Sequence, residues 1–597
     1  MLKQRGTAKR SILDFDWSLV NNGSSPNLWQ CAQLLPSFSG MANARPVRTI
    51  RSVKKYGFDA SSDESEDEEE SIREVDLDID DDLDADSSDE EEVRMPPPNR
   101  EGSWTFVNSS DRGAQMLEFS GNAGWQIEQP QILSEYMNIF LPNTLFEKIA
   151  CWTNSRALIE EAKRFQSGDN FHFEPVTVCE VKKFLGLTLA MALIRKATID
   201  SYWSTEPLMQ TAYFNSCMSR DRYRQILKFL RFSNPYDVSS DKNSRISGMD
   251  KMCSEINKCF LPGKSLSLDE SLLLHKGRLS FRMFIQTKRA RFGIKIYMLC
   301  DSSGYMICSE VYYGASTHLQ CNESGFDELS KSEQVIVALL SKCNFLDKGY
   351  TVTLDNWYTS TRVAEYLWKR KTAIRGTIRV SRGVPQELRE KTLRNFQCAY
   401  MRKNELLCIK FSDKKDVYLL STADNAGEIE RQRTFRGGHK QSYQKPEAIH
   451  TYNTEMSGVD LTDQYISSCN IVRKSQVWFK KIGLSYFQRL VLNSFIRFRI
   501  ERNQKMHFGD FRKAVVCHLT GVPSQSQKTR HRRASSILSD HHYPEEIPTQ
   551  PGQPRRRRKC AECAKTKTRK DTYYFCPSCP DTPGLCVVPC FRNFHVN

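Results

Sequence analysis

The 597-residue chain is too long for one ordinary domain and predicts three or four compact units with tails. Its densest apolar run, Phe184 to Ile194, is far short of the ~18–20 residues a bilayer span needs, and the N-terminus lacks a signal peptide's apolar core, so a soluble, non-secreted protein is expected, with no membrane partner. The net charge of +15 hides an asymmetry: Asp59 to Glu92 carries 20 acidic residues against one arginine, a net of −19, so the remainder holds +34, the charge of a body that meets a polyanion.

Residues 1–115 are expected to be a disordered acidic N-terminal region, because the Ser-Asp-Glu block cannot bury enough apolar surface to fold. Ser61, Ser62, Ser65 and Ser71 lie beside acids and fit acid-directed phosphorylation or a plain solubilising tail; Met41, before a basic lead, is an alternative start. Residues 116–263 read as helical. Thr177-Val-Cys-Glu180 is a capping box, followed by Val181, Phe184, Leu185, Thr188 and Leu189 at helical spacing. Ser219 caps a second helix whose apolar face is Tyr223, Ile226, Leu227 and Leu230. Arg220, Arg222, Arg224, Lys228 and Arg231 fill the other positions, as a solvated face or a phosphate-contacting one.

From Lys264 the period changes. Strands are predicted at Ser265–Leu274, Gly293–Asp301 and Met306–Tyr313, a helix at Glu328–Cys343 and a fourth strand at Thr351–Leu354, which together make a mixed α/β sheet over 264–380. Residues 381–445 read as an insertion with strands at Leu406–Phe411 and Asp416–Ser421. A helix from about Thr454 carries Asp460 and Asp463 and closes, over 446–464, the unit begun by the sheet. Further helices fill 465–520. The linker 521–555 contains Lys528-Thr-Arg-His-Arg-Arg533, and Arg555-Arg-Arg-Arg-Lys559 follows; such runs serve nuclear localisation or nucleic-acid contact.

An Asp on a first strand, an Asp ending a fourth strand and an acid on a later helix match the topology of RNase H-like nucleases. Phosphodiester chemistry at neutral pH uses one Mg²⁺ (or Mn²⁺) at the attacking oxygen and a second, about 4 Å away, at the leaving oxygen, both held by carboxylates. Asp269, Asp355 and Asp460 are the candidates, and only a fold can join them. The surrounding motifs are Ser267-Leu-Asp-Glu270, Gly277-Arg278, Gly293-Ile-Lys295, Leu354-Asp-Asn-Trp-Tyr-Thr-Ser360, Gly376-Thr377 and Tyr452-Asn-Thr-Glu-Met-Ser-Gly-Val-Asp-Leu-Thr-Asp-Gln464, followed by Arg473 and Trp478. In this order, from about residue 130 to the C-terminus, they resemble the piggyBac family of DNA transposases. The resemblance implies a catalytic triad of Asp269, Asp355 and Asp460 with Asp463 as a further acid, and no catalytic role for Glu270 or Asn356. It also implies an all-helical dimerisation and DNA-binding domain from segments before and after the sheet, a nuclear homodimer, and double-stranded DNA as partner. The implied reaction is cut-and-paste: nicking of the transposon end, a hairpin intermediate, and joining at TTAA. Lys288-Arg-Ala-Arg-Phe departs from the family, which more often has proline after the lysine.

Six of the 20 cysteines cluster at the C-terminus, in 556–597, as Cys560-x2-Cys563-x12-Cys576-x2-Cys579-x6-Cys586-x3-Cys590-x4-His595. Thiolate pairs at this spacing grip Zn²⁺, and scattered reduced thiols elsewhere exclude a disulfide framework. Seven ligands fall one short of two zinc ions; His541 or His542 is the eighth, with His542 taken here. The arrangement resembles the family's cross-braced, DNA-recognising cysteine-rich domain, and Lys565, Lys567, Arg569 and Lys570 are placed to meet phosphate. Two rivals stand beside an active transposase: a domesticated DNA-binding or chromatin protein of the same fold, which has no need of the three acids, and a zinc-dependent ubiquitin ligase or histone reader, which leaves the preceding 460 residues idle.

Overall fold

A computed structural model describes residues 102–237, 242–286, 291–314, 317, 319, 321–434, 438, 440–468, 470–471, 477–523, 542–550 and 552–596. The acidic tract, Met41, Lys288 to Ala290, Arg473, Lys528–Arg533 and His541 lie outside them.

Where the described chain begins, Thr105–Val107 (β1) forms an edge strand. Residues 102–115 therefore do not belong with a structureless tail: three β-compatible residues beside an acidic block give too short a signal to read. Gly124–Trp125 (β2) pairs antiparallel with Phe260–Leu261 (β3), and six helices lie between them: Leu133–Phe140 (α1), Asn143–Gln166 (α2), Val178–Leu193 (α3), Ala212–Cys217 (α4), Arg220–Phe229 (α5) and Ser247–Asn257 (α6). The expected capping box holds α3, with Glu180 N donating to Thr177 Oγ1 at 3.2 Å and Thr177 N to Glu180 Oε2 at 2.9 Å. Ser219 caps α5 through the N–H of Arg222 at 3.3 Å. Part of the α5 basic row is committed inside the chain: Arg222 Nε donates to Glu180 Oε1 at 2.7 Å, and Arg224 pairs with Asp200.

The sheet begins with Ser265–Leu274 (β4), Met283–Phe284 (β5), Phe292–Asp301 (β6) and Met306–Val311 (β7), an antiparallel series. Lys331–Lys342 (α7) leads to Thr351–Leu354 (β8), and Thr361–Lys369 (α8) joins β8 to Ala373–Thr377 (β9). β8 runs parallel to β4 and to β9, a geometry that needs helical crossovers. After the short Gln386–Glu390 (α9) come Cys398–Lys403 (β10), Leu406–Ser412 (β11) and Asp416–Ser421 (β12). The strands within 381–445 extend the sheet: β12 pairs with β9 and β1 with β10, giving one ten-stranded sheet ordered β1-β10-β11-β12-β9-β8-β4-β6-β5, with β7 also on β6. The hairpin Glu428–Thr434 (β13) and Lys440–Pro446 (β14) leaves the sheet.

Glu447–Glu455 (α10) and Gly458–Ser468 (α11) return over β4, and Trp478–Glu501 (α12) and Phe508–Thr520 (α13) complete the helical body. α12 is buried from Phe479 to Phe498 against α1, α6, α11 and α13, while α13 lies on α3. Gly186 permits that last contact, since a Cβ there would come within 2.9 Å of Thr520. No helix among the described residues is long and apolar enough to cross a membrane. The C-terminal unit is built from two two-stranded ladders, Glu545–Glu546 (β15) with Tyr574–Phe575 (β18) and Arg558–Lys559 (β16) with Asp571–Thr572 (β17), plus Ala561–Lys565 (α14) and Cys590–Val596 (α15).

Candidate active site and C-terminal metal centres

Along β4, Ser265, Ser267, Asp269 and Ser271 alternate onto one face of the sheet. The parallel register sets Ser265 beside Thr351, Ser267 beside Thr353 and Leu268 beside Leu354, so the next residue on each strand is Asp269 on one and Asp355 on the other. Small residues on this face admit α11. A Cβ at Gly458 would lie 2.3 Å from the carbonyl oxygen of Asp301 and 2.4 Å from Ser267 Oγ, so only glycine lets the helix start here. Thr462 Oγ1 then donates to Gly304 O at 2.7 Å, and Asp463 Oδ1 accepts from Ser271 Oγ at 2.6 Å, two residues along β4 from Asp269. Asp460 is exposed, one turn before Asp463.

The acids sit in unequal surroundings. Asp269 is buried, and its Oδ1 accepts the N–H of Glu270 at 2.7 Å. Asp355 Oδ1 accepts the N–H of Trp357 at 2.8 Å. Burial first, and then the charge of Glu270, push the Asp355 carboxyl up to about 6, against the opposing pull of the Trp357 and Tyr358 N–H groups and Lys295. Glu270, to which sequence reasoning gave no role, is thus an electrostatic partner of Asp355. It also accepts from Tyr358 Oη at 3.1 Å and faces Lys295 Nζ at 3.9 Å, and Lys295 in turn lies 4.4 Å from the Trp357 ring centre.

Two carboxylates not assigned a role above, the half-buried Glu455 and the buried Glu333, hold this arrangement. Glu455, ending α10, accepts from Ser265 Oγ at 2.8 Å, from Thr353 Oγ1 at 3.2 Å and from Arg375, which also grips Asp424 with two bonds of 2.7 and 2.8 Å. Glu333, in α7, accepts from Arg362 Nε at 3.0 Å and from Ser360 Oγ, while Ser360 caps α8 by accepting from Val363 N at 3.1 Å. The turn after Asp355 is therefore clamped from behind. The fold sets Asp269, midway along β4, beside Asp355 at the end of β8, with Asp463 bonded to Ser271 two residues further along β4, but three of these carboxylates do not converge: among the described residues, the groups of three or more potential ligands lying within 4.8 Å of one another are the two at the C-terminus.

In that terminal unit the ligands divide as Cys560, Cys563, Cys586 and Cys590 in one group and His542, Cys576, Cys579 and His595 in the other. The first and third cysteine pairs thus share a centre, and the second pair joins two histidines, a cross-brace. Cys563 Sγ and Cys590 Sγ are 3.4 Å apart; Cys579 Sγ lies 3.4 Å from His542 Nδ1 and 3.3 Å from His595 Nε2. His595 Nδ1 donates to the Phe591 carbonyl at 2.7 Å, which leaves its Nε2 lone pair facing the thiols. Four thiols in one set, and two thiols with two imidazoles in the other, suit tetrahedral zinc, and every described cysteine is free of disulfide bonding.

The family model described as Transposase IS4 matches residues 134–495, and a DDE_Tnp_1-like zinc finger matches 541–596. The human PiggyBac transposable element-derived protein 3 is 23% identical over 466 residues, 73% of this chain and 75% of the relative. The chain belongs to the piggyBac transposase family. The human chimeric ERCC6-PGBD3 protein is also 23% identical, over 73% of this piggyBac-family chain and 42% of the longer chimera. A cryo-EM structure of a piggyBac transposase synaptic complex with hairpin DNA shares the fold at a TM-score of 0.56 and 24% identity, over 78% of this chain and 98% of that one. The zinc-finger match covers both terminal ligand groups of this piggyBac-family chain, so the C-terminal unit is a zinc-binding one.

Proposed function

We propose that the protein is a DNA transposase that excises and reintegrates DNA by cut-and-paste chemistry. The observation that carries this reading is the parallel β4–β8 register, which sets Asp269 beside Asp355, with Asp463 of α11 bonded to Ser271 on the same face. The donors are all carboxylate oxygens, which suit Mg²⁺ or Mn²⁺, and the raised carboxyl of Asp355 marks a position where a cation relieves buried charge. Asp269, Asp355 and Asp460 would hold the ions, with Asp463 in support; when bound, the ions supply polarisation of the phosphodiester and of the attacking oxygen. The chain's own part is to orient these acids through Ser271, Glu455 and Glu333 and to present basic surface to the DNA backbone. Water opens the phosphodiester at the transposon end and leaves a 3′-OH. That hydroxyl attacks the opposite strand, releasing the flanking DNA and closing a hairpin, and the reopened end then joins a TTAA target. Two copies of the chain act together, and the basic runs Lys528–Arg533 and Arg555–Lys559 direct the protein to the nucleus.

The second reading, a DNA-binding or chromatin protein retired from catalysis, is favoured by the name of the human relative, an element-derived protein. A TTAA-flanked donor plasmid, with a marker between terminal repeats, separates the two. Under the first reading the wild type excises the marker and Asp355→Asn abolishes excision while leaving DNA binding nearly intact. Binding without excision by the wild type establishes the second.

A further inference from the structure

Away from the zinc unit, two thiols face each other where α7 packs on β7. Cys308, within β7, is buried, and Cys343, which caps the C-terminal end of α7, is half-buried. Cys343 Sγ donates to Cys308 Sγ at 2.7 Å, and Cys308 Sγ donates to the Leu339 carbonyl oxygen, one turn earlier in α7, at 3.7 Å. Both are free thiols. A disulfide holds its sulfurs about 2.05 Å apart, so joining this pair asks only a small closing movement.

The neighbours of the two cysteines hold them in this position. Lys342, the last residue of α7, donates from Nζ to the Ser309 carbonyl oxygen at 2.9 Å and pairs with Glu310 at 3.1 Å, so the residue before Cys343 grips the two residues after Cys308. Asp250 of α6 meets the same ammonium at 2.8 Å. The N–H groups of Asn344 and Phe345 turn back to the carbonyl oxygens of Ser341 and Leu340, each at 2.9 Å, which closes the helix end around Cys343. A buried free cysteine ordinarily serves as a small apolar side chain. This pair differs, because one member is open to solvent and the other lies behind it within bonding reach. Burial also holds the Cys308 thiol well above its ordinary range, so Cys343 is the member that reacts first.

We propose that Cys308 and Cys343 form a redox modification site, in which a peroxide converts the pair to an intramolecular disulfide that ties the end of α7 to β7. The Cys343 sulfur attacks one peroxide oxygen, the O–O bond breaks, and the thiol proton leaves with the other oxygen as water, giving a sulfenic acid. The Cys308 sulfur then attacks the Cys343 sulfur; the S–S bond forms, the S–O bond breaks, and the oxygen departs as water with the Cys308 proton. The two thiols together lose two electrons, and hydrogen peroxide is reduced to water. Thiol reductants reverse the step by exchange. The cross-link spans 35 positions of chain, and it fixes the helix whose Glu333 anchors Ser360 and Arg362 behind Asp355. The site does not depend on the DNA-transacting reading.

The test treats full-length, zinc-loaded protein with hydrogen peroxide, at doses below those at which a zinc indicator detects released metal, and then alkylates the remaining thiols. Peptide mass spectrometry is expected to find Cys308 and Cys343 joined, and both return to the alkylated pool after dithiothreitol. The oxidised wild type melts higher than the reduced by about 3–6 °C. Cys343 is half-buried at a helix end, so Cys343→Ser keeps the fold; it forms no cross-link and shows no rise in Tm. Cys308→Ala leaves the reaction at the sulfenic acid, which dimedone labels on Cys343. Full alkylation of both cysteines in the wild type at every dose up to zinc release overturns the site. So does dimedone labelling of wild-type Cys343 with no cross-linked peptide. An equal rise in Tm in Cys343→Ser places the stabilisation elsewhere and overturns the tie between α7 and β7.

Discussion

Ser271 Oγ donates to Asp463 Oδ1 at 2.6 Å and accepts from Arg489 Nη2 at 3.0 Å. Arg489 is almost wholly buried in α12, so an arginine of the helical body reaches, through Ser271 of β4, an acid of α11. The α11 acids are thereby tied to β4 by a hydroxyl whose removal leaves a buried donor without its acceptor.

Ser271→Ala is expected to lower stability by about 1–2 kcal/mol in urea unfolding, the cost of an unmatched buried donor. Because it removes the bond that Ser271 makes to Asp463, it is also expected to raise the Mg²⁺ concentration for half-maximal excision by roughly 10-fold, with recovery at saturating metal. An excision titration identical to that of the wild type would show that the hydroxyl does not position the acid.

Asp355 gives a pH signature. The fold raises its carboxyl from 3.8 to about 6, so the stability linked to it is fully present below about pH 4 and is lost as pH rises through 6. In metal-free protein, Asp355→Asn should therefore raise Tm at pH 8 by roughly 2–4 °C and change little at pH 4. Added Mg²⁺ should stabilise only the wild type. Equal melting of the two proteins at pH 8 would remove the burial argument.

Metal analysis of the full-length protein should return close to two zinc ions per chain. His542→Ala is expected to lose the ion of the Cys576–Cys579 centre and retain the other, giving about one. Cys560→Ser should release the complementary ion. Two ions retained in His542→Ala would move the eighth ligand elsewhere.

Glu333 anchors Ser360 and Arg362, and hydrogen bonds from Arg362, Ser360 and Ser330 outweigh burial to hold its carboxyl below the usual range. The stability it contributes is present above its unfolded range, near pH 4.5, and is lost as pH falls through the depressed folded value. Glu333→Gln should cost about 2–3 kcal/mol at pH 7 and much less at pH 3, measured by chemical unfolding. Excision should fall with it, since the clamped turn begins at Asp355. Equal losses at both pH values would point to packing instead of charge.

Much of the central sheet was legible because its signals are local. The runs predicted at Ser265–Leu274 and Thr351–Leu354 coincide with β4 and β8, and the Thr177 and Ser219 caps stand where their side chains allow. β13 was illegible: Glu428–Thr434 alternates only between exposed and half-exposed positions and has no apolar period to read. The helix expected through Thr454 and Asp463 is two helices, broken at Met456–Ser457, where α10 is fastened by Glu455 and α11 starts on Gly458. The supports of the site escaped notice because they are distant in sequence: Glu455 meets Ser265 across 190 positions, and Arg489 meets Ser271 across 218. One trace was visible, the alternation Ser265-x-Ser267-x-Asp269-x-Ser271, a polar face on an otherwise leucine-rich strand.

The burial of α12 against α1 and α6 bears on the order of synthesis. The helical body opens at Leu133 but is sealed only by Trp478–Thr520, so during translation α1, α3 and α6 leave the ribosome more than 200 residues before the helices that cover them. The strands of the sheet emerge in that interval, within an unfinished frame. A chain cut short before residue 478 lacks Arg489 and the zinc unit together. It would be an apolar-faced product for the cell's quality control to degrade.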